Sequence, residues 1–270
     1  LEFRRVLFRS LVWKDGSASP VYTVSRTDSA VNKTLLMNAD GTPFTGHAGG
    51  LSVHGDYVYI AGGEDKCVYV FSRGVLLSAP EDGAQCLGSF ETALPDGDGI
   101  DVAFTAVHDG KLYVGEFYRE QNYPTAESHK LTTRAGDYNT ALALAYEFSD
   151  APDNRFGLAP TPCAAYSLPG LVQGMCFDGS SVYLSTSYGL AFSHIYVYDA
   201  SALAPQGEIA DVPLYAMDSV SLTATLKLPP MSEEIEVLDG RLYTMCESAS
   251  QKYFFGKLTG GVWCYATALN

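Results

Sequence analysis

Residues 105–117, TAVHDGKLYVGEF, contain two short alternating strands joined by Asp109-Gly110, and this stretch decides the fold. An Asp-Gly pair between alternating strands is the strongest short signal for a β-hairpin, because the tight turn needs positive φ at both central positions. The second strand is centred on Tyr113. We therefore predict an antiparallel hairpin here.

The same plan occurs three more times along the chain. The other copies are LSVHGDYVYIAG (51–62), MCFDGSSVYLSTS (175–187) and IEVLDGRLYTMCE (235–247). The strand tyrosines follow one another at spacings of 54, 70 and 60 residues, at Tyr59, Tyr113, Tyr183 and Tyr243. Hairpins repeated at such periods indicate either a propeller or a solenoid.

A third strand is predicted after each hairpin, and a fourth in the third unit at 222–228. The third strands begin near Cys67, Ala141, His194 and Gly261. Three or four antiparallel strands per unit favour a propeller blade over a solenoid rung. Residues 11–46 have the pattern of the outer strands of another blade. We predict an all-β fold, a five-bladed β-propeller with one blade truncated at the N-terminus, and six blades as the alternative.

Residues 1–10, LEFRRVLFRS, do not share this pattern. They hold three of the 17 basic residues and look like a translated sequencing adapter. Segments of that kind are left out of fold reasoning. We therefore predict an adapter-like artefact over 1–10 and a single, N-terminally incomplete propeller domain over 11–270.

Composition restricts the classes of partner. The 270 residues are 47% hydrophobic and carry a net charge of −14. A general nucleic-acid binder needs a positive face, so we expect no nucleic-acid partner. No run reaches the roughly 18 apolar residues of a membrane span, so we expect no membrane insertion. We expect a monomer.

The six cysteines lack the close spacing of a zinc site. Cys67 and Cys86 lie 19 residues apart, and Cys246 and Cys264 lie 18 apart. Each pair could sit on neighbouring strands of one blade and form a cross-strand disulfide. Buried free thiols that pack as small apolar side chains are the alternative.

Ligand sites in propellers usually form where loops enter the innermost strands around the central channel. One set of polar residues is predicted there, namely His47, Asp101, Gln173 and Glu233. A second set follows the second strands, partly in the long loop 116–134, and comprises Glu116, Tyr118, Tyr123, His129, Ser187, Tyr188 and Glu247. Long loops inside compact domains are usually functional or mobile.

Three of these residues are candidate catalytic groups. Glu116, Glu233 and Glu247 could supply an acid, a base and a charge stabiliser, because glycosidases use paired carboxylates of which one has a raised pKa. The same carboxylates could instead hold Ca²⁺, which takes six to eight oxygen ligands.

Three hypotheses on function stay open. The first is a module that binds a small molecule or glycan at the channel mouth. The second is a hydrolase or lyase that acts on a glycan or lactone through the channel carboxylates. The third is a scaffold that contacts other proteins through its blade faces, which an exposed apolar patch away from the channel would favour.

Several segments resemble a family of exported bacterial β-propellers. They are GHAGG, GEFYREQNYPTAESHKLTT, LVQGMCF with STSYG, and LPPMSEEI with CESASQKY, within residues 40–255. The resemblance implies an extracytoplasmic or secreted propeller and no particular reaction. Glu233 matches the family's recurring Glu, whereas Glu234 stands where Gly is usual. The chain is also distantly similar to lactonase and gluconolactonase propellers, which hold Ca²⁺ in the channel, but it does not reproduce their ligand motifs.

Overall fold

The computed structural model of the chain describes residues 6–10, 17–25, 27–152, 154–249 and 258–269. Three antiparallel strands come first, β1 (Val6–Ser10), β2 (Pro20–Ser25) and β3 (Val31–Met37). Residues 11–16, part of the predicted outer strands, lie outside the described residues.

Blade 1 follows this layer as a four-stranded antiparallel meander. Its strands are β4 (Leu51–His54), β5 (Tyr57–Ala61), β6 (Cys67–Ser72) and β7 (Ala84–Glu91), with the short helix α1 (Arg73–Ser78) between the last two. The outer strand β7 pairs in parallel with β3 through Leu36 and Met37. Val21 and Leu36 of the first layer are buried in one cluster with Val58 and Ile60 of β5.

Blade 2 has the same plan with a long excursion after its second strand. It begins with β8 (Phe104–His108) and β9 (Lys111–Gly115). The excursion contains a 3-10 helix (Glu127–His129) and a two-residue pair, β10 (Leu131–Thr132) with β11 (Tyr138–Asn139). The blade is completed by β12 (Ala141–Glu147) and β13 (Ala164–Leu168).

Blade 3 contains an inserted hairpin. Its first three strands are β14 (Val172–Asp178), β15 (Ser181–Thr186) and β16 (Ser193–Asp199). A 3-10 helix (Ala200–Ala202) leads into the hairpin of β17 (Ala204–Ile209) and β18 (Val212–Ala216), and β19 (Leu222–Leu228) completes the blade. The hairpin leaves its own blade, because β18 pairs in parallel with β13 of blade 2. The predicted fourth strand at 222–228 is confirmed.

Blade 4 has three described strands. These are β20 (Ser232–Leu238), β21 (Arg241–Cys246) and β22 (Tyr265–Ala268), with a 3-10 helix (Glu247–Ala249) after β21. The third strand therefore begins four residues after the predicted start at Gly261.

The predicted all-β propeller is confirmed, and the described residues form about four blades. The prediction of five blades counted residues 11–46 as a separate blade. The described part of that segment instead joins the sheet of blade 1 through the pairing of β3 with β7. The apolar residues of this segment, among them Val21 and Leu36, are buried against blade 1. They therefore need no separate sheet to cover them.

Two of the three Asp-Gly turns have the backbone that the sequence predicts, whereas at the third Asp178 pairs with Ser181 and only Gly179 has a positive φ, 56°. Asp109 and Gly110 have φ values of 45° and 69°, and Asp239 and Gly240 have 51° and 69°. Positive φ at both central residues gives the twist that matches the two flanking strands.

The innermost strands β4, β8, β14 and β20 pack side by side around the axis. Ser52 Oγ of β4 lies 2.9 Å from Thr105 Oγ1 of β8. A Cβ at Gly174 of β14 would lie 2.7 Å from Glu234 Cα of β20, so only glycine allows this approach. The ring returns to blade 1 where the Leu51 amide donates to both carboxylate oxygens of Glu234, at 3.2 and 3.3 Å.

All six cysteines are free thiols. Cys67 lies opposite Glu91 and Cys86 opposite Phe71, so four residues of strand, about 13 Å, separate them. A disulfide needs Cα atoms within about 7 Å, so the predicted Cys67–Cys86 bridge is wrong. Cys246 and Cys264 are likewise unbridged. The longest helix among the described residues has six residues, and none of these helices is long and apolar enough to cross a membrane.

Gly174→Ala is expected to destabilise the protein by about 1–3 kcal/mol, because the new Cβ would meet backbone atoms that cannot rotate away. The check is the urea midpoint at constant m-value. Gly74→Ala is the matched control, since its Cβ would meet only Ser72 Oγ at 3.8 Å. Equal midpoints for the two variants would contradict the close packing of β14 on β20.

Alkylation of the unfolded chain without reductant is expected to modify six thiols, and Cys264, the exposed one, is expected to react first in the folded protein. Burial raises the pKa of the Cys67 thiol to about 11, which slows its reaction further. Mass spectrometry counts the added groups, and a mass with only four of them would restore one disulfide.

Candidate functional site

The channel mouth is the end of the ring at which the innermost strands begin. Two of these strands carry a bulge at that end. The register of β14 shifts between Val172 and Gly174, and that of β20 shifts between Ser232 and Ile235. Bulges re-aim side chains and are common next to active sites. Here they hold Gln173 and Glu233, the two residues predicted at equivalent places.

Gln173 and Glu233 lie on neighbouring strands. The Cβ position of Gly174 is 3.3 Å from the backbone oxygen of Glu233, which brings the two bulges together. Both side chains are half-buried. Neither makes a side-chain hydrogen bond to another residue within the described ranges. Two polar groups at the mouth are thus not committed to the fold.

The pKa of Glu233 is raised from 4.5 to about 8. Burial of the carboxyl group is the larger cause, and the negative charge of Glu247 is the second. Glu247 is exposed at the start of the last 3-10 helix, and its backbone N–H donates to Met231 O at 2.8 Å. The structure therefore brings Glu233 and Glu247 together and keeps Glu233 protonated at neutral pH.

Glu116 lies in a different cluster. Its side chain is buried, Oε1 lies 2.9 Å from His129 Nδ1, and Oε2 accepts the Leu142 amide at 2.9 Å. His129 Nε2 lies 3.2 Å from Asp98 Oδ2, and Ser128 donates to that same oxygen at 2.6 Å. Both oxygens of Glu116 are thus engaged in fixing the loop 116–134.

The charge state of His129 follows from its neighbours. Burial by itself lowers the pKa of His129, but the hydrogen bond and charge of Glu116, with the charge of Asp98, raise it above the ordinary value. The Ser128 hydrogen bond is the main cause of a lowered pKa at Asp98. An imidazole whose pKa is raised lies between two carboxylates and joins the long loop to the linker between blades 1 and 2.

Asp101 and His47 lie on the same side of the mouth as this cluster. Asp101 is half-buried; burial raises its pKa, and Glu64 adds to this, while Lys66 and His129 oppose it. His47 is exposed, and its ring lies 3.2 Å from the Cβ position of Gly49. The same Cβ position lies 2.7 Å from the backbone oxygen of Ala103, so only glycine fits there.

Aromatic residues form the rim of the mouth next to blade 3. The Arg119 guanidinium stacks on the Tyr188 ring at 3.9 Å, which joins the long loop to the connection after β15. Tyr123 packs edge-on against Phe117 at 5.3 Å and is 50% exposed. Lys130 Nζ lies 5.4 Å above the Tyr118 ring.

Two further parts of this rim, Ser187 and the pair Leu190 and Phe192, differ in their exposure to solvent. Ser187 is buried and uses its backbone N–H to bond Leu171 O at 3.0 Å. Leu190 and Phe192 are exposed in the same connection as Tyr188. Sequence reasoning did not single out Arg119, and a lone arginine in a polar loop gives no signal of its own.

The described residues do not fit a Ca²⁺ site. Within the described ranges, no group of three or more His, Cys, Asp or Glu side chains is placed to hold a metal ion. The Glu233–Glu247 pair supplies too few of the six to eight oxygens that Ca²⁺ takes. Ca²⁺ binding stays a prediction, and no step below depends on it.

A scan against protein-family models found no match, and a search of curated proteins found no relative. The resemblance to exported bacterial propellers therefore stays a prediction.

Similar solved structures include 6-phosphogluconolactonase-like proteins from two bacteria. The one from Bacteroides fragilis is 10% identical with a TM-score of 0.40, covering 100% of this chain and 96% of that one. The one from Bacteroides uniformis is 11% identical with a TM-score of 0.41, covering 98% and 83%. The WD40 domain of Toxoplasma gondii coronin is 11% identical with a TM-score of 0.36, covering 91% and 63%. Likeness at this level carries no argument about activity.

His129→Gln is expected to lower the free energy of unfolding by about 1–3 kcal/mol, because it leaves the buried Glu116 carboxylate without its charged partner. The pKa of His129 is raised in the folded state, so its contribution is full below about pH 6.5 and is lost as pH rises through the folded pKa. The loss caused by His129→Gln is therefore expected to shrink between pH 6 and pH 9.

Denaturant titrations of the wild type and His129→Gln between pH 6 and pH 9 test this prediction. His194→Gln is the control, because the His194 imidazole stacks on an aromatic ring, that of Tyr196, whereas His129 lies between carboxylates. A loss that stays constant with pH would show that the imidazole acts as a neutral hydrogen-bonding group.

Proposed function

We propose that the channel mouth binds a small, uncharged polar ligand such as a sugar. The observation that carries this proposal is the pair of uncommitted side chains, Gln173 and Glu233, on adjacent bulges. A protonated carboxyl group and an amide each offer a donor and an acceptor. Such a pair complements neighbouring hydroxyl groups.

The surroundings of the pair support a neutral ligand. The charge of Glu247 lies near Glu233 and disfavours an anion. Tyr188, 40% exposed, offers an aromatic rim, and Arg119 fixes its ring. Small-molecule sites usually combine aromatic side chains with a few placed polar groups.

A second candidate is acid–base catalysis on a glycan or lactone. It is favoured by the carboxyl pair, because glycosidases need one protonated and one ionised carboxyl group. Glu233 would be the acid and Glu247 the base or nucleophile. The contacts of Glu116 with His129 and Leu142 leave it out of this pair.

Glu233→Gln separates the two candidates, since glutamine keeps the shape, donor and acceptor but transfers no proton. Under the binding proposal, the variant binds neutral sugars or lactones with nearly unchanged affinity at pH 6–7. Wild-type affinity then falls above about pH 8, as Glu233 ionises, whereas the variant's affinity stays flat. Calorimetric titration at several pH values makes the measurement.

Under the catalytic alternative, Glu233→Gln lowers turnover by about 10²–10⁴-fold while binding persists. Glu236→Gln, an exposed residue on the same strand, is the matched control for both arms. Binding that is indifferent to Gln173→Ala, and equal in the wild type and Glu233→Gln at every pH, would overturn the proposed site.

The raised pKa of Glu233 also sets a pH dependence of stability. The unfolded chain ionises this group near pH 4.5 and the folded chain near pH 8, so the unfolded state binds fewer protons between these values. The free energy of unfolding is expected to fall across that window, and Glu233→Gln is expected to reduce the fall. Melting temperatures at pH 5 and pH 8 check this, and an unchanged slope in the variant would contradict the buried, protonated carboxyl.

A further inference from the structure

The face opposite the channel mouth carries two clefts between neighbouring blades. Cleft 1–2 has a volume of about 360 Å³ and is lined by His54, Asp56, Tyr57 and Tyr59 of blade 1 with Phe148 and Asp150 of blade 2. Cleft 2–3 has a volume of about 330 Å³ and is lined by His108, Asp109 and Lys111 of blade 2, Phe177 of blade 3, and Tyr166 and Tyr215. Both volumes fall at the lower end of the range for small-molecule sites.

The two clefts share one plan. His54 and His108 each end an innermost strand, directly before the hairpin turn. The imidazole of each stacks on a phenylalanine of the next blade. The ring centroids are 3.7 Å apart for His54–Phe148 and 4.3 Å for His108–Phe177, with planes within 7° and 6° of parallel. Each stack gives the cleft a rigid aromatic wall that spans two blades.

Further aromatic residues extend both walls. Tyr59 and Tyr113 occupy equivalent register positions, opposite Ser52 and Ala106, and line the respective clefts. In cleft 2–3 the rings of Tyr166 and Tyr215 stack at 5.7 Å. Tyr59 is fully buried and its hydroxyl donates to Phe156 O at 2.8 Å, so partly exposed Tyr57 supplies the phenol of cleft 1–2.

The charged groups indicate the charge of the occupant. Cleft 1–2 is lined by the carboxylates of Asp56 and Asp150, and the Arg73 guanidinium, which donates to the backbone oxygen of the lining residue Gly55 at 3.0 Å, offsets one of these two negative charges. In cleft 2–3 the carboxylate of Asp109 is balanced by Lys111. Burial lowers the pKa of His108, so its ring is neutral at pH 7 and offers one donor and one acceptor. This set disfavours anions and complements hydroxyl groups.

We propose that clefts 1–2 and 2–3 are saccharide-binding sites, each taking a neutral sugar ring of a glycan. A pyranose presents an apolar C–H face to aromatic rings and a rim of hydroxyl groups to carboxylates and phenols, which is the chemistry of both clefts. The sites are separate from the channel mouth and do not depend on the function proposed there. Two such sites on one face of the ring bind a repeating glycan with avidity.

The test is calorimetric titration of the full chain with glucose, galactose, mannose and N-acetylglucosamine, and with (1→4)-linked tetrasaccharides of glucose and N-acetylglucosamine. The expected result is saturable binding by at least one sugar, with two sites per chain, and tighter binding of its tetrasaccharide.

Substitutions in the turns locate the binding. Asp56→Asn in cleft 1–2 and Asp109→Asn in cleft 2–3 each weaken one site by about tenfold, because a charge-assisted hydrogen bond to a hydroxyl group is lost. Asparagine tolerates the positive φ of Asp109, so the turn is preserved. Asp239→Asn, the same change in the equivalent turn of blade 4, is the matched control and leaves binding unchanged.

Three outcomes would overturn the proposal. One is that no sugar of the panel binds at millimolar concentration, and another is that Asp239→Asn reduces binding as much as the two cleft variants do. The third is binding that survives Asp56→Asn with Asp109→Asn but is lost on Gln173→Ala, which would place the sugar at the channel mouth. That result would support the function proposed for the mouth, so the failures of the two proposals are distinguishable.

Discussion

The hydrogen bonds from the Leu51 amide to the carboxylate of Glu234 are the contact on which the closed ring depends. At the other junctions the innermost strands of neighbouring blades pack directly against each other, whereas blade 4 meets blade 1 through this carboxylate contact within the described residues. A carboxylate that accepts a backbone N–H gives a stronger bond than a neutral acceptor. It also satisfies an amide at the start of β4, which would otherwise lie at an open sheet edge.

The strand that closes the ring also forms part of the channel mouth. Glu233 and Glu234 both lie in the bulge of β20, between Ser232 and Ile235. Gly174 lets the neighbouring strand, which is bulged between Val172 and Gly174, approach closely enough to bring Gln173 alongside. Ring closure and the two uncommitted polar side chains are therefore found at the same pair of adjacent bulges.

Much of the fold could be predicted from local sequence. The Asp109-Gly110 and Asp239-Gly240 turns, the tyrosine repeat and the strand at 222–228 all depend on residues close in sequence, and the structure confirms them. The hairpin of β17 and β18 could not be found, because its pairing with β13 is parallel and distant in sequence. The place of residues 11–46 in the ring could not be predicted for the same reason, since the pairing of β3 with β7 is also parallel and non-local.

The sequence predicted which residues belong to the candidate site, but not which of them lie together. Equivalent positions in repeated units must converge on the axis. Counting residues back from the strand tyrosines therefore predicted that Gln173 and Glu233 lie together. The separation of Glu116 from the other two carboxylates did not, because it depends on His129, which lies 13 residues further along an irregular loop. The role of Glu234 in closing the ring gave no local signal either, because its partner Leu51 lies 183 residues away in the sequence.

The inserted hairpin joins blades 2 and 3 through backbone pairing. After β16 the chain forms β17 and β18, β18 pairs with β13 of the preceding blade, and β19 then completes the sheet of blade 3. Asn139 reinforces this junction by donating to both Ser167 O and Met217 O, at 3.0 and 3.1 Å. Separating blade 3 from blade 2 therefore requires breaking a β-ladder as well as side-chain packing, so an opening of one blade is expected to disturb the amides of the other.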